Sequence, residues 1–545
     1  MVHFLLKGKI KRLIGVCLSL IFIFGFALPV HAGSGLSCCC LKSDQKFNKK
    51  EGMLVIGKDI EELTMKEICR FADIPIEKVK TVYIEEDVRS IVDGAFSDCE
   101  ALDSINIPVS VKSIGECTFS GCKALKSICI PDGVESIGDG TFSDCWALDS
   151  INIPASVKSI GDYAFSGCRA LKSVCIPDGI ESIGNHEFSE CEVLSSINIP
   201  VSVKSIGDYA FNGCEALDSI NIPANVKSIG NYAFSGCRAL KSIYILDGVE
   251  SIGDYAFSDC KALNYIDTLP TSVRSIGKYA FSDCWALDSI NIPASVKLIN
   301  EYTFYGCKGL KSVIIQDGVT TIGNSAFEKC ENLTLIVIPE NVTYIGEGAF
   351  RNCGLCSIKI PDKVTSIGDE LFAECKKLVS AYIPEGIPSI NKLMFSGCEK
   401  LESVIIPNGV VDIGESAFQC CSNLKEVYIP SSVTTIGDYA FYKCTGLKNV
   451  SIPSSVTTIG VSAFRRCKEL KEVTIPYGVK CIEKDESDCR NSREVILLKG
   501  EENIELNIFS GRLQLIRTIE SNQTKLYVFQ CYKETWYDQE AFLSE

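Results

Sequence analysis

Apolar and polar positions along the chain repeat every 23 residues, from about Val82 to about Cys489. One unit, at Ile153–Cys175, reads IPASVKSIGDYAFSGCRALKSVC. Every unit carries a Phe three residues before a Cys, and 17 units follow one another at steps of 23 residues, except for one step of 24 and one of 22. A period of about 20–29 residues with an L-x-x-I-x-I core predicts a leucine-rich solenoid, because a single unit cannot bury its own apolar side and must stack on its neighbours. The repeat Phe residues are Phe96, Phe119, Phe142, Phe165, Phe188, Phe211, Phe234, Phe257, Phe281, Phe304, Phe327, Phe350, Phe372, Phe395, Phe418, Phe441 and Phe464.

The pattern inside one unit predicts four successive parts. Leu171-x-x-Val174-x-Ile176 alternates as a short strand does, and the following Pro cannot donate a hydrogen bond to a sheet. Ile180-x-x-Ile183-Gly184 predicts a second extended piece. We expect Tyr163–Phe165 to form a single helical turn that carries the aromatic ring inward, before Cys168 and the next Leu return to the core. Stacking such units predicts a mostly β solenoid of the α/β type, with a parallel sheet on one face.

The motif AF-S-G-C-x-x-L-x-x-I-x-IP resembles the BspA-like leucine-rich repeat family of bacterial and protozoan surface proteins. The resemblance covers roughly residues 80–490. It implies a leucine-rich-repeat solenoid in a secreted or surface-exposed protein. Several family members look like adhesins for host matrix proteins or other microbes, and no catalytic residues come with the family.

Residues 1–32 have the pattern of a secretory signal peptide. Lys7 to Arg12 form a basic segment, Leu13 to Leu28 form an apolar segment, and Val30–Ala32 fits a small-x-small cleavage site. We expect secretion or non-covalent attachment at the cell surface, with no membrane insertion after cleavage. An uncleaved membrane anchor and lipid attachment at Cys38 are the alternatives.

The repeat is absent from residues 33–79, which we interpret as an N-terminal linker and cap. Thr64-x-x-Glu67 is a capping-box pattern and predicts a short helix that covers the first coil, since the ends of a solenoid need a cap. The adjacent cysteines Cys38–Cys40 favour a tethered tail, with chain cross-linking or metal binding as alternatives.

Residues 491–545 follow the decay of the repeat at Glu486, where a Phe is expected. Three apolar runs, at Val495–Leu498, Leu513–Ile516 and Leu526–Phe529, predict strands. We interpret this segment as a C-terminal cap, with a small functional module as the alternative.

Composition excludes several kinds of function. The net charge is −15 and becomes −19 without residues 1–32, so an acidic mature chain argues against nucleic acid or an anionic membrane as a partner. His186 is the single histidine beyond residue 32, which leaves too few for a His-based catalytic triad or a multi-His metal site. Cys353-x-x-Cys356 has no second pair, so zinc is not expected. We predict no catalytic residues, no cofactor and no metal.

The 30 cysteines raise the question of disulfides. Seventeen of them occupy the same place in successive coils, where parallel side chains about 5 Å apart fit the geometry of a disulfide poorly. They are better interpreted as small buried apolar residues in a ladder of reduced thiols. These cysteines are Cys99, Cys122, Cys145, Cys168, Cys191, Cys214, Cys237, Cys260, Cys284, Cys307, Cys330, Cys353, Cys375, Cys398, Cys421, Cys444 and Cys467.

Each strand should present one outward side chain between its two inward residues. In the first half of the chain these positions are rich in Asn, which can hydrogen-bond along a stack. In the second half they are apolar or aromatic, at Ile314, Val337, Tyr382, Ile405 and Tyr428. Large exposed apolar patches tend to be interaction sites, so this stripe is our predicted partner-binding site; strand propensity on a flat face is the structural alternative.

Charges alternate in sign between neighbouring coils, as at Asp103 and Lys126 or Asp218 and Lys241. Such pairs favour a fixed register between coils more than they add stability.

The leading functional hypothesis is a secreted or cell-surface solenoid that binds proteins, an adhesin for host matrix, cells or other microbes. The alternative is a structural surface or matrix protein that associates with itself and has no dedicated ligand. An enzyme or a hydrolase accessory is a third hypothesis, which depends on residues 491–545.

Overall fold

A computed structural model describes residues 21–22, 52–56, 75–86, 88–266, 268–470, 472–475, 479, 481–482, 494–498, 512–521 and 524–532. The chain forms two compact units, Met1–Lys261 and Ala262–Glu545, which we call unit 1 and unit 2. Their boundary falls within the 24-residue step between Phe257 and Phe281. Both units consist of stacked coils with two short strands in each coil.

In unit 1 the first strand of each coil has an inward apolar residue at its centre. The second strand follows after a corner, which contains a Pro in six of the eight coils. The first strands are Thr81–Ile84, Ser104–Asn106, Ser127–Cys129, Ser150–Asn152, Ser173–Cys175, Ser196–Asn198, Ser219–Ile222 and Ser242–Ile245. The second strands are Ser90–Ile91, Ser113–Ile114, Ser136–Ile137, Ser159–Ile160, Ser182–Ile183, Ser205–Ile206, Ser228–Ile229 and Ser251–Ile252.

Unit 2 repeats the same arrangement. Its first strands are Tyr265–Ile266, Ser289–Ile292, Ser312–Ile315, Leu335–Val337, Ser357–Lys359, Ser380–Tyr382, Ser403–Val404, Glu426–Tyr428, Asn449–Ser451 and Glu472–Ile475. Its second strands are Ser275–Ile276, Leu298–Ile299, Thr321–Ile322, Tyr344–Ile345, Ser366–Ile367, Ser389–Ile390, Asp412–Ile413, Thr435–Ile436, Thr458–Ile459 and Cys481–Ile482.

Strand pairing between coils is parallel and places equivalent residues opposite one another. Ser173 lies between Ser150 and Ser196 in unit 1, and Val313 pairs with Ile336 in unit 2. A slip of one residue would turn every apolar side chain toward solvent, so the repeated Ile and Val positions hold the register. The predicted leucine-rich solenoid with a parallel sheet is confirmed.

The segment around each repeat Phe is not the helical turn that the sequence predicts. Tyr163 has φ of +59° and Gly167 has φ of +73°, both in the left-handed region, and the equivalent positions of other coils share this conformation. The backbone N–H groups of Tyr163, Phe165 and Gly167 donate to carbonyl oxygens of the next coil at 2.7–2.8 Å. This Phe turn therefore forms a third ladder between coils. Within the described residues the one helical element is the 3-10 turn Ile76–Lys78.

The core of both units is a column of repeat Phe rings flanked by Leu, Ile, Val and Cys. All 17 repeat Phe side chains are buried. In unit 1 neighbouring rings stack with centroids 5.1–5.4 Å apart and planes within 10°. At the 22-residue step in unit 2, Phe350 and Phe372 are 6.0 Å apart, and the next ring, Phe395, is tilted by 25°. A missing residue thus loosens the stack locally without breaking it.

The repeat cysteines are buried with free thiols. Fifteen of these thiols donate a hydrogen bond to the carbonyl oxygen of the repeat Phe one coil earlier, at 2.9–3.3 Å. Burial raises the pKa of the Cys145 thiol to about 12 and raises that of Cys168 well above its usual value. Cys145 and Cys168 therefore remain thiols at neutral pH.

The N-terminal segment contributes a strand that the sequence does not predict. Met53–Ile56 pairs in parallel with Thr81–Ile84 and antiparallel with Ile21–Phe22. The capping helix predicted after Thr64, the three adjacent cysteines and most of the predicted signal peptide lie outside the described residues.

The C-terminal segment contains strands at all three predicted apolar runs. Glu494–Leu498 pairs in parallel with Glu472–Ile475, and Thr524–Tyr532 pairs antiparallel with Glu494–Leu498. Arg512–Ser521 then pairs antiparallel with Thr524–Tyr532. No described segment forms an apolar helix of the length that a bilayer crossing requires.

Candidate protein-binding surface

The first strands of unit 2 place the five predicted binding residues on the outer face of the sheet. Inward residues flank each of them, because side chains of a strand alternate between its two faces. Their side chains are exposed at 58 % for Ile314, 67 % for Val337, 47 % for Tyr382, 77 % for Ile405 and 68 % for Tyr428. We call this set the apolar stripe.

Strand pairing brings the members of the apolar stripe together in two groups. Ile314 lies directly opposite Val337. These two residues form the first group. The second group consists of Tyr382, Ile405 and Tyr428: Tyr382 lies opposite Lys359 of the preceding coil, and Ile405 forms a β-bridge with Tyr428. Neighbouring strands are about 4.8 Å apart, so members of one group are in direct reach of each other. Among the described residues, strand pairing is interrupted between Val337 and Lys359, where one repeat is 22 residues long.

Leu335 widens the first group of the apolar stripe and is missing from the sequence prediction. It lies two residues before Val337, on the same face of the same strand, and is 62 % exposed. Most coils have Ser at this position, including Ser312 in the preceding coil. The apolar residue in a column of serines is the signal that could have identified it.

Polar contacts hold Tyr382 of the second group and its neighbour Lys359. The Tyr382 hydroxyl donates to Asp362 Oδ1 at 3.1 Å, and this hydrogen bond raises the pKa of Tyr382. Lys359 Nζ pairs with Glu340 Oε1 at 3.1 Å and lies 5.9 Å from the centre of the Tyr382 ring. These contacts orient the Tyr382 side chain, which remains 47 % exposed.

The outer face of unit 1 is polar at most positions, with Tyr83 and Tyr244 as exposed aromatic exceptions. Asn106 uses both ends of its amide on the backbone of Ile84, accepting from N–H at 2.8 Å and donating to the carbonyl at 3.1 Å. Cys129 and Cys175 are exposed on the same face. Asn106 therefore bonds to the backbone of the preceding coil rather than to a neighbouring Asn side chain.

A separate ladder of Asp and Asn side chains, which the sequence prediction does not include, follows the Gly after several successive second strands of unit 1. Asn185 Oδ1 accepts the backbone N–H of Asp208 at 2.8 Å, and Asp208 Oδ1 accepts that of Asn231 at 2.7 Å. Asn231 Oδ1 continues to Asp254 at 2.8 Å. The I-G-[DN] motif is its sequence signal, and its carboxylates are occupied in binding backbone.

Next to this ladder, unit 1 carries a stack of half-exposed aromatic rings. Tyr163, His186, Tyr209, Tyr232 and Tyr255 stack with ring centroids 4.4–4.6 Å apart and planes within 8°. Burial between its neighbours lowers the pKa of His186. The stacking explains how a Tyr can occupy the left-handed position of the Phe turn, and it leaves the ring edges exposed rather than the faces.

The predicted charge alternation forms ion pairs between coils. Lys126 Nζ lies 3.0 Å from Asp103, and Lys241 Nζ lies 2.7 Å from Asp218. All these groups are largely exposed, so each pair contributes roughly 0.2–1 kcal/mol at most. In the described part of the chain, no group of three or more His, Cys, Asp or Glu side chains is arranged to hold a metal ion.

Comparison with known proteins places the repeat in a family. A family model described as the BspA type leucine-rich repeat region, with six copies of the repeat, matches residues 69–194, 135–264, 181–311, 265–379, 297–423, 365–487 and 411–533. These ranges extend beyond the predicted solenoid of residues 80–490 at both ends. No curated protein matches the chain.

Several solved structures are similar to this chain. A leucine-rich repeat protein from Bacteroides ovatus is 30 % identical, with 79 % of this chain and 92 % of that chain covered and a TM-score of 0.40. A leucine rich cell surface protein from Faecalibacterium prausnitzii is 29 % identical, with coverages of 68 % and 86 % and a TM-score of 0.31. A leucine-rich repeat protein from Eubacterium ventriosum is 22 % identical, with coverages of 77 % and 92 % and a TM-score of 0.34. Because the family model matches well over half of the sequence, this chain belongs to the BspA-type leucine-rich repeat family.

Proposed function

We propose that the protein is a secreted or cell-surface solenoid that binds a protein ligand through the apolar stripe of unit 2. The observation that carries this proposal is the exposure of adjacent apolar side chains on a rigid sheet, with Ile405 and Tyr428 at 77 % and 68 %. Isolated exposed apolar residues are common on protein surfaces, whereas contiguous ones mark interaction sites. Family membership and the signal-peptide pattern of residues 1–32 support an extracellular location.

The composition of the apolar stripe fits a protein ligand. Aromatic residues are enriched at protein interfaces, and charged residues are depleted from their centres. Tyr382 and Tyr428 can supply large contact area at a small cost in conformational entropy, while Lys359 lies between the two groups and is already paired with Glu340. Within this class we propose adhesion to host matrix proteins, host cells or other microbes, without enzymatic activity.

The test measures binding of the full-length chain to a panel of matrix proteins and cells by surface plasmon resonance, with light scattering on the same sample. We expect saturable binding by a monomer. The double variant Ile405→Ser, Tyr428→Ser should weaken it roughly tenfold or more, as loss of interface anchors does. Val201→Ser is the matched control, because Val201 is 71 % exposed and lies outside the stripe.

Unchanged affinity in the double variant, with wild-type circular dichroism, would contradict the assignment of the stripe. Particle size that grows with protein concentration, without binding to any member of the panel, would instead support the self-associating structural protein.

A further inference from the structure

A groove of about 350 Å³, with charged and hydroxyl side chains set in a largely apolar lining, lies on the flank of unit 2, between the Phe turns and the first strands of the last described coils. Its walls come from two columns of residues, the second and the fourth residue after each repeat Phe. Lys443 and Arg466 belong to the second-residue column. The fourth-residue column contributes Glu399, Ser422, Thr445 and Lys468.

Elsewhere in the chain the fourth-residue column neutralises its own charges. Each cation there lies 2.7–4.0 Å from a carboxylate. Lys261 pairs with Asp259 of its own coil, and the other cations pair with a carboxylate of an adjacent coil. These pairs are Lys123–Glu100, Arg169–Glu192 and Arg238–Glu215 in unit 1, and Lys308–Glu331 and Lys376–Glu399 in unit 2. A carboxylate partner within 4.0 Å is therefore the rule for the cations of this column outside the groove.

The groove departs from that rule. The residue one coil before Lys468 is Thr445, which carries no charge, and the residue one coil after Lys443 is Arg466, a like charge about 4.8 Å away along the stack. Among the described residues, no carboxylate oxygen lies within 4.0 Å of Lys443 Nζ or Lys468 Nζ; Lys443 lies over the Tyr442 ring at 5.3 Å instead. Within an acidic chain this cluster is a local site for an anion.

The other end of the groove offers hydrogen-bond acceptors. The Ser422 hydroxyl donates to the carbonyl of Glu399 at 3.1 Å, and the Thr445 hydroxyl donates to the carbonyl of Ser422 at 3.4 Å. A hydroxyl has one proton to donate, so both oxygens face a ligand as acceptors. The Glu399 carboxylate, 4.0 Å from Lys376, is an acceptor as well.

We propose that this groove binds an acidic sugar, that is, a saccharide unit that carries a carboxylate or a sulfate group. The acid group contacts Lys443 and Lys468, and the sugar hydroxyls donate to Ser422, Thr445 and Glu399. A ligand with an anion at one end and several hydroxyl donors at the other matches both halves of the groove. The volume is at the lower end of the range of about 300–1,000 Å³ that small-ligand sites occupy. This site is on a different face from the apolar stripe and does not depend on it.

The experiment titrates the full-length chain with four probes, followed by saturation-transfer NMR and calorimetry. Glucuronic acid carries a carboxylate, glucose 6-sulfate carries a sulfate, glucose carries neither, and sodium sulfate carries no sugar. We expect at least one acidic sugar to bind roughly tenfold or more tightly than glucose and sodium sulfate, because hydrogen bonds to charged groups are the stronger ones. The comparison of the first two probes identifies the preferred acid group.

The double variant Lys443→Gln, Lys468→Gln should lower the affinity for the preferred acidic sugar roughly tenfold or more. Lys308→Gln is the matched control, because Lys308 occupies the same column as Lys468 but has a carboxylate partner in Glu331. The Lys308→Gln variant should bind the preferred acidic sugar with the affinity of the wild type. Equal binding of glucose and the acidic sugars, sodium sulfate binding as tightly as the acidic sugars, or no binding by a folded wild-type chain would overturn the proposal. So would a double variant that binds as the wild type does.

Discussion

Glu187 makes the stability of unit 1 depend on pH in a direction that can be calculated. It occupies the position just before a repeat Phe, where both flanking coils have Ala, and its side chain is fully buried. Its Oε2 accepts the N–H of Gly184 at 2.7 Å, while Oε1 has no hydrogen-bond partner among the described residues. Burial is the main cause that raises the pKa of Glu187 well above its ordinary value.

The raised pKa determines the sign of the effect. An unfolded Glu has a pKa of about 4.3, so above that pH the unfolded chain releases a proton that folded Glu187 retains. The contribution of Glu187 is favourable below this pH and is lost as pH rises toward the folded pKa. Over that window the wild type should lose about 1.4 kcal/mol of unfolding free energy per pH unit relative to Glu187→Ala.

Urea denaturation of the wild type, Glu187→Ala and Glu187→Gln at a series of pH values from 4 upward, about half a unit apart, measures this difference. Glu187→Gln controls for side-chain size, because it keeps the volume and cannot ionise. The unfolding free energy of each variant, relative to that of the wild type, should increase as pH rises, and the increase per pH unit should be the same for both variants. A difference between wild type and variants that stays constant with pH would show that Glu187 is ionised in the folded chain, and the reasoning would be refuted.

Three further predictions follow from the packing of the coils. Phe211→Ala should lower the unfolding free energy by about 3–5 kcal/mol, because the ring is fully buried between two stacked rings; a loss below about 1 kcal/mol in urea denaturation would contradict the stacked core. Gly230→Ala should cost about 1–3 kcal/mol, because its Cβ would lie 2.5 Å from the backbone of the preceding coil; Gly386→Ala, whose Cβ meets its nearest atom at 3.5 Å, is the control. In native protein at neutral pH, iodoacetamide should modify exposed cysteines such as Cys129 and Cys356 and spare the repeat cysteines, as peptide mass spectrometry would show; prompt modification of the repeat cysteines would show that they are accessible.

The sequence predicts features that depend on one unit and its immediate neighbour. The strand expected at Leu171–Ile176 is found at Ser173–Cys175, and the extended piece expected at 180–184 is found at Ser182–Ile183. The outward positions, including Ile314 and Tyr428, are exposed as expected. These features follow from apolar alternation, which the stacking of identical coils preserves.

Features that depend on backbone contacts between coils could not be derived in the same way. A Tyr-Ala-Phe sequence is compatible with a helical turn, and its left-handed Tyr163 becomes favourable only when alternate N–H groups bond to the next coil. The hydrogen bond that the Cys168 thiol donates to the Phe142 carbonyl depends on the same stacking. Hydrophobic periodicity identifies Cys168 as buried but carries no information on its hydrogen bond.

Departures from the repeat are therefore the informative positions in this chain. Because each coil contacts only its two neighbours, a substitution in one column alters two interfaces and leaves the remaining stack intact. A buried acid at Glu187, an apolar residue at Leu335 and, at Lys468, a cation with no carboxylate oxygen within 4.0 Å among the described residues each depart from the usual residue or pairing of their column. Glu187 is a single buried acid that accepts one hydrogen bond, from Gly184, and leaves Oε1 without a partner among the described residues, whereas Leu335 and Lys468 add to neighbouring residues of the same character. Glu187 is therefore a local departure confined to one coil. The apolar stripe and the groove, in contrast, are surfaces formed by several coils, and both are in unit 2.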